Sequence, residues 1–518
     1  MMHSVRSRRG MVTAPHHLAA QAGLSVLQDG GSATEAAVAV AACLAVVYPH
    51  MTGIGGDGFW LIAEPDGRVH AIDACGGAAM DVSGYDGLDA IPWRGPLAAN
   101  TVAGTISGWA AALEGGTLPL ARLLRDAIHH AEAGVAVTKG GAGVAAAKGA
   151  ELRVQPGGYA AVFEPHGVPL EEGAWLRQPL LAETLWRLAR DGLAGFYDGA
   201  LAADIAADLA LLGSPVRAVD LAVHRATRPA PLHVGIRGGE LFNTAPPTQG
   251  IASLLILALY DRLRGESEFD FVHGLVEATK RAFLWRDRHC GDPAYATADA
   301  QGLLDDGAAL DAMAASISDR ALPWPQPASA GDTTWFACAD AAGRVVSAIQ
   351  STYFEFGSGL VLPRTGITWQ NRGSSFRLAA EGSNALKPGR KPFHTLNPAL
   401  ARFADGRVMA YGTMGGEGQP QTQAAIFTRY ALGMGLQEAV SAPRWLLGRT
   451  WGEESVSLKL EDRFAAALYE DLRGAGHEVE LVAPYTATMG HAGAIVRHPG
   501  GGLEGATDPR SDGQVAAW

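Results

Sequence analysis

The stretch that most constrains this chain runs from Gly331 to Ser351. Asp332-Thr333-Thr334-Trp335-Phe336-Ala337-Cys338-Ala339-Asp340 and Arg344-Val345-Val346-Ser347-Ala348-Ile349-Gln350-Ser351 are rich in apolar and β-branched residues. They flank the short Ala341-Ala342-Gly343 loop, a pattern that predicts a β-hairpin. Pairing Asp340 with Arg344 centres the register on Ala342 and sets Thr333 directly opposite Ser351. Opposed side chains on antiparallel strands have Cβ atoms ~5 Å apart on one face, so two hydroxyls there can hydrogen-bond.

Just upstream, Pro323-Trp324-Pro325-Gln326-Pro327-Ala328-Ser329-Ala330-Gly331 reads as a linker that ends at Asp332-Thr333-Thr334. Cutting between Asp332 and Thr333 would give Thr333 a hydroxyl and an α-amine on one residue. Such an amine has a pKa near ~8, so an N-terminal threonine carries its own general base.

Asp-Thr-Thr, the hairpin, Ser351 and then Phe356-Gly357-Ser358-Gly359 resemble the start of the small subunit of the γ-glutamyltransferases, which are self-cleaving N-terminal-nucleophile hydrolases. Further segments match the family in order: Thr52-Gly53-Ile54-Gly55-Gly56-Asp57-Gly58-Phe59, Val102 to Trp109, Asn243 to Gly250, Glu277 to Pro293, Tyr411 to Gly418 and Gly505 to Arg510. The resemblance therefore spans nearly the whole chain. It implies an αββα four-layer sandwich of the α+β class, with a large subunit 1–332 and a small subunit 333–518 intertwined as one unit.

Hydrophobic residues make up 48% of the 518 positions, enough for a large core, and the net charge of −12 argues against nucleic acid or an anionic membrane as partner. Cys43, Cys75, Cys290 and Cys338 lie far apart without metal-ligand spacing, so they read as buried thiols; neither metal nor cofactor is expected. Basic residues near the start are followed by Pro15, His16 and His17 rather than an apolar core, so the expected location is cytoplasmic. The most apolar run, Ala36 to Tyr48, is shorter than the ~20 residues a membrane span needs.

Ser32-Ala33-Thr34-Glu35 has capping-box spacing and opens a helix that is apolar all round, ended by Pro49; it belongs at the centre of a core. Gly53, Gly55, Gly56 and Gly58 call for unusual φ or close backbone approach. A phosphate loop links strand to helix, whereas this segment precedes a strand. The resemblance places it beside the active site. Charges on the helix from Glu277 to Arg288 read as a solvated or salt-bridged face. Buried helices mixed with antiparallel hairpins favour helices layered on stacked sheets over a parallel βαβ sheet.

The chemistry that the resemblance implies is as follows. Thr333 Oγ attacks the Asp332 carbonyl to cut the chain, then attacks a substrate amide with its own amine as base. Ser351 orients the hydroxyl, and the backbone N–H groups of Gly415 and Gly416 form the oxyanion hole. Two departures stand out. The arginine that holds the substrate α-carboxylate in γ-glutamyl members falls at Cys75, and the acid that holds the α-amino group falls at Ser374-Ser375. Each such clamp is normally worth ~1.5–3 kcal/mol. Tyr353 also stands where the typical member has Asn, and Trp335 where it commonly has His.

A cation appears instead at Arg372. With Ser375, Tyr353, His394 and Thr395 it forms a candidate carboxylate site, the alternative being a surface or ion-paired arginine. The expected function is hydrolysis of a small carboxylate-bearing amide, similar to the oxamate amidohydrolase branch. The alternatives are a glutathione hydrolase or γ-glutamyltransferase with its clamps elsewhere, or an inactive relative that binds. The expected partner is a small amide, and a further oligomer is left open.

Overall fold

The computed structural model of the chain describes residues 3–263, 265–324, 332–448 and 455–518. The linker expected upstream of Thr333 lies largely outside them, at 325–331.

Two antiparallel sheets form the centre. A six-stranded sheet runs Gln514–Ala517, Gly10–Ala14, Asp332–Asp340, Val345–Tyr353, Asp57–Ala63, Val69–Ala74. A seven-stranded sheet runs Val5–Ser7, Leu503–Thr507, Ala492–Arg497, Val408–Thr413, Ala399–Phe403, Gly239–Asn243, Leu232–Ile236. Each sheet mixes strands from before and after residue 332.

Alternation along the strands divides the core into layers. Trp335, Ala337 and Ala339 point into the space between the sheets, with Phe59, Leu61, Leu400, Ala410 and Ile495. Phe336 and Cys338 point the other way, onto the helices Ala33–Val47 and His17–Gln28. On the far side, Ala399, Ala401, Met409 and Tyr411 pack against the helices Gly250–Leu263, Glu268–His289 and Gly418–Ala431. The result is the expected four-layer αββα sandwich.

Helix Ala33–Val47 is buried at every position and carries the expected capping box, with Ser32 N–H donating to Glu35 Oε2 at 2.8 Å and Glu35 N–H to Ser32 Oγ at 3.3 Å. Trp335 sits between the sheets, where a Cβ on Gly412 would approach its ring to 2.3 Å and one on Gly493 to 2.7 Å. Its indole N–H donates to Ser347 Oγ at 3.0 Å, so the ring is held at both ends of its polarity. Charges on Glu268–His289 are structural: buried Glu277 pairs with Lys280 at 2.6 Å and also with Arg281. No helix of the described residues is long and apolar enough to cross a membrane.

Candidate active site

The central hairpin has the register centred on Ala342 from Val345–Ala339 through Gln350–Thr334, and then shifts so that Tyr353 pairs with Asp332. Thr333 therefore faces a β-bulge that includes Ser351, not Ser351 alone, which corrects the expected direct pairing. The cause is local. Ser351 Oγ accepts the Tyr353 N–H at 2.8 Å, and Tyr353 takes φ = +83°, a conformation rare for a bulky residue, so the strand bends opposite Thr333. Thr334 Oγ1 donates to the Gln350 carbonyl at 3.1 Å and anchors the last regular pair. Thr333 is 1% exposed, and its Oγ1 has no hydrogen-bond partner among the described residues.

On its other edge, Ser351 pairs with Asp57, so Thr333, Ser351 and Asp57 lie on three adjacent strands. The glycine-rich loop that precedes Asp57 packs against this point. A Cβ on Gly56 would lie 2.1 Å from the Ser351 carbonyl oxygen, and one on Gly55 2.3 Å from that of Thr368. The glycines serve close approach.

The short turn Arg372–Ser375 follows the segment 368–371, which packs on this loop with Gln370 N–H donating to the Gly55 carbonyl at 3.0 Å, and carries Arg372 into the interior. Its guanidinium is 0% exposed and lies 3.5 Å over the Tyr353 ring; Nη2 donates to Thr395 Oγ1 at 3.1 Å. Nε and Nη1 have no hydrogen-bond partner, and the arginine has no ion pair among the described residues. Burial pulls its pKa down to about 10, against the opposing pull of Tyr353 and Asp57. Arg372 is thus not a surface residue, and it forms no salt bridge among the described residues. Cys75, where γ-glutamyl members carry their arginine, is buried close enough for the two groups to perturb each other's ionisation. The positive charge reaches that space from the 372–375 turn.

His394 and Thr395 line the same region. His394 Nε2 lies 3.1 Å from Asp57 Oδ2, its Nδ1 is buried without a partner, and burial together with the Arg372 charge holds its pKa well below the usual range. Burial pushes Asp57 up to about 7, even though its Oδ1 accepts N–H groups from Gly76, Gln370 and Gly104 at 3.1, 3.2 and 3.0 Å. Asp57, Cys75 and His394 bring one heteroatom each to within 4.8 Å of one another, but the adjacent guanidinium opposes a further cation. Ser375 is more peripheral: its hydroxyl makes a long bond, 3.4 Å, to the Phe393 carbonyl.

Gln249 ties this region to the glycine pair. Its Nε2 donates to the carbonyls of Thr395 at 2.7 Å and Gly416 at 2.8 Å, and its Oε1 accepts from Arg286 at 2.9 Å. Gly415 and Gly416 have φ of +117° and +52° and lead into the helix Gly418–Ala431. Among these residues, sequence reasoning missed Asp57 and Gln249 as parts of the site. Asp57 carried a signal, a lone acid within a glycine run that packs against the hairpin, but its partner His394 lies 337 positions away.

Two facing antiparallel sheets between helical layers, with a threonine buried at the start of a central strand, define a hydrolase of the N-terminal-nucleophile type. The chain belongs to the γ-glutamyltranspeptidase family, whose model matches residues 19–518. It is 55% identical to the oxamate amidohydrolase proenzyme of Klebsiella pneumoniae, with 100% of each chain covered. It is 42% identical to a glutathione hydrolase-like proenzyme of Bacillus subtilis, over 99% of each. Among solved structures it resembles a cephalosporin acylase from Bacillus halodurans, with a TM-score of 0.92 and 32% identity, covering 100% of this chain and 97% of that one.

Proposed function

We propose that this hydrolase is a self-processing N-terminal-threonine amidohydrolase that cleaves the C–N bond of a small carboxylate-bearing amide of the oxamate type. Cleavage before Thr333 yields fragments 1–332 and 333–518, which stay together because both sheets draw strands from each. Thr333 Oγ then attacks the substrate carbonyl while its α-amine takes the proton and passes it to the departing nitrogen. Water releases the acyl group from the resulting ester. Ser351 orients the nucleophile, and the N–H groups of Gly415 and Gly416 receive the oxyanion. Arg372 holds the substrate carboxylate, with Thr395, His394, Tyr353 and Ser375 around it.

The observation that carries this reading is Arg372 itself: a fully buried guanidinium with two donor nitrogens that lack partners among the described residues. Leaving such a charge uncompensated costs several kcal/mol, a cost that an incoming carboxylate offsets. The relative named as an oxamate amidohydrolase supports the same substrate class.

The test combines intact mass with turnover. Denatured wild-type protein should give two fragments, the second beginning at Thr333, and Thr333→Ala a single chain. The wild type should release ammonia from oxamate at a kcat/KM well above that for a γ-glutamyl anilide. Faster hydrolysis of the anilide would favour glutathione hydrolase. An uncut wild type inactive on both would leave a binding protein.

A further inference from the structure

We infer that Asp57 is a positioning residue that fixes His394 as a hydrogen-bond acceptor at Nδ1, so that the Arg372 pocket selects a carboxylate flanked by an N–H or O–H donor over a bare dicarboxylate. This rests on the amidohydrolase reading above and narrows its substrate.

Arg372 Nε and Nη1 and His394 Nδ1 are buried without partners among the described residues, and Arg372 Nη2 is tied to Thr395, the residue after His394, at 3.1 Å. Arginine only donates, whereas a neutral imidazole donates at one nitrogen and accepts at the other. Which nitrogen of His394 accepts is set by Asp57. Above pH about 7 the Asp57 carboxylate is ionised and cannot donate, so there the 3.1 Å contact places the proton on Nε2 and leaves a bare lone pair at Nδ1. Three donors on Asp57 Oδ1, two of them backbone N–H groups, hold the carboxylate in orientation and favour its charged form. Asp57 is itself pinned as the cross-strand neighbour of Ser351.

Arg372 therefore offers donors, and His394, the residue before the Thr395 hydroxyl that this guanidinium bonds, offers one acceptor. Oxamate matches this pattern, with carboxylate oxygens for the arginine and an amide N–H for the imidazole. Oxalate has the same shape and carries a second carboxylate where oxamate carries the amide. Its oxygen would face the His394 lone pair, an unpaired acceptor against an acceptor. Oxalate is also the product: oxamate and water give oxalate and ammonium. The dyad thus favours the substrate over its own product.

The experiment compares KM for oxamate with the inhibition constant for oxalate in fully processed enzyme. Asp57→Asn keeps the Oδ1 acceptor for Gly76 and Gly104 but puts an amide N–H against Nε2, which moves the imidazole proton to Nδ1. The ratio of oxamate KM to oxalate Ki should then rise about tenfold to a hundredfold, as one hydrogen bond is lost for oxamate and one gained for oxalate. A purely structural Asp57 would weaken both ligands together, and an unmoved ratio overturns the inference. His394→Gln gives a second readout. Its amide N–H can satisfy Asp57 while its oxygen accepts, so the ratio should stay near wild type; a change as large as that expected of Asp57→Asn also overturns the assignment. A wild type that neither hydrolyses oxamate nor binds oxalate overturns the amidohydrolase reading first, and the dyad's role with it.

Discussion

Replacing Arg372 with methionine separates a substrate clamp from a structural cation, because the two roles predict opposite signs for stability. The guanidinium is 0% exposed, holds one hydrogen bond to Thr395 and one ring contact with Tyr353, and faces no salt-bridge partner among the described residues. Its pKa, pulled down to about 10 by burial, means that the fold disfavours the charged form by on the order of 3 kcal/mol. Methionine fills much of the same volume without that charge, and exchanges of this kind are commonly neutral or stabilising by ~1–4 kcal/mol. The melting temperature of processed Arg372→Met should therefore equal or exceed that of wild type. Activity should fall steeply. A substrate carboxylate left without its cation in a buried site costs ~3–5 kcal/mol, or roughly 10²–10⁴ in kcat/KM. The assay is ammonia release from oxamate over a range of concentrations, beside scanning fluorimetry and a mass check that processing is complete. A variant that unfolds at lower temperature yet keeps its kcat/KM within about threefold would mark Arg372 as structural glue and not a substrate clamp.

Three further outcomes follow from the same geometry. Ser351→Ala should lower kcat roughly 10- to 100-fold with little change in KM, the effect of removing the one hydrogen bond that Ser351 is proposed to make to Thr333 Oγ in the processed enzyme; an unchanged kcat would remove Ser351 from the mechanism. KM for oxamate should rise as pH falls through about 7, where Asp57 takes up a proton and donates a hydrogen bond to His394 Nε2, whose own proton moves to Nδ1 and makes that nitrogen a donor. The charged and titratable groups facing this pair are Arg372, Cys75, Lys391, Asp73 and Tyr197, and a KM flat from pH 8 to about 5.5 would show that they hold Asp57 ionised throughout. Gly56→Ala drives a Cβ to 2.1 Å from the Ser351 carbonyl, so it should destabilise the protein by ~1–3 kcal/mol and abolish processing. Gly58→Ala, whose nearest neighbour lies at 3.5 Å, serves as the control, and equal behaviour of the two would contradict the packing described.

Much of this molecule is legible in one dimension, because the information is local. Alternation within Thr333–Asp340 and Val345–Gln350 fixes a hairpin and its register, since the pleat sends successive side chains to opposite faces. Ser32 and Glu35 start a helix wherever they stand three apart, and fifteen residues without a polar stripe place that helix inside the core. The motifs carry the family, and the missing charges at Cys75 and Ser374-Ser375 already argue against γ-glutamyl recognition. Arg372 could be singled out as an unexpected cation, but its sequence neighbours do not distinguish a salt bridge from a clamp. That distinction depends on which groups the fold brings within a few ångströms. Only the tertiary structure decided that no carboxylate pairs with Arg372 among the described residues, that Tyr353 stacks beneath it, and that Asp57 crosses 337 positions to meet His394. It also decided the bulge opposite Thr333, because the positive φ of Tyr353 is set by the Ser351 hydroxyl and the glycine loop packed behind it, not by the alternation of the strand. Periodicity specifies which face a residue takes. Long-range packing specifies what that face meets, and the chemistry of this site depends on the second.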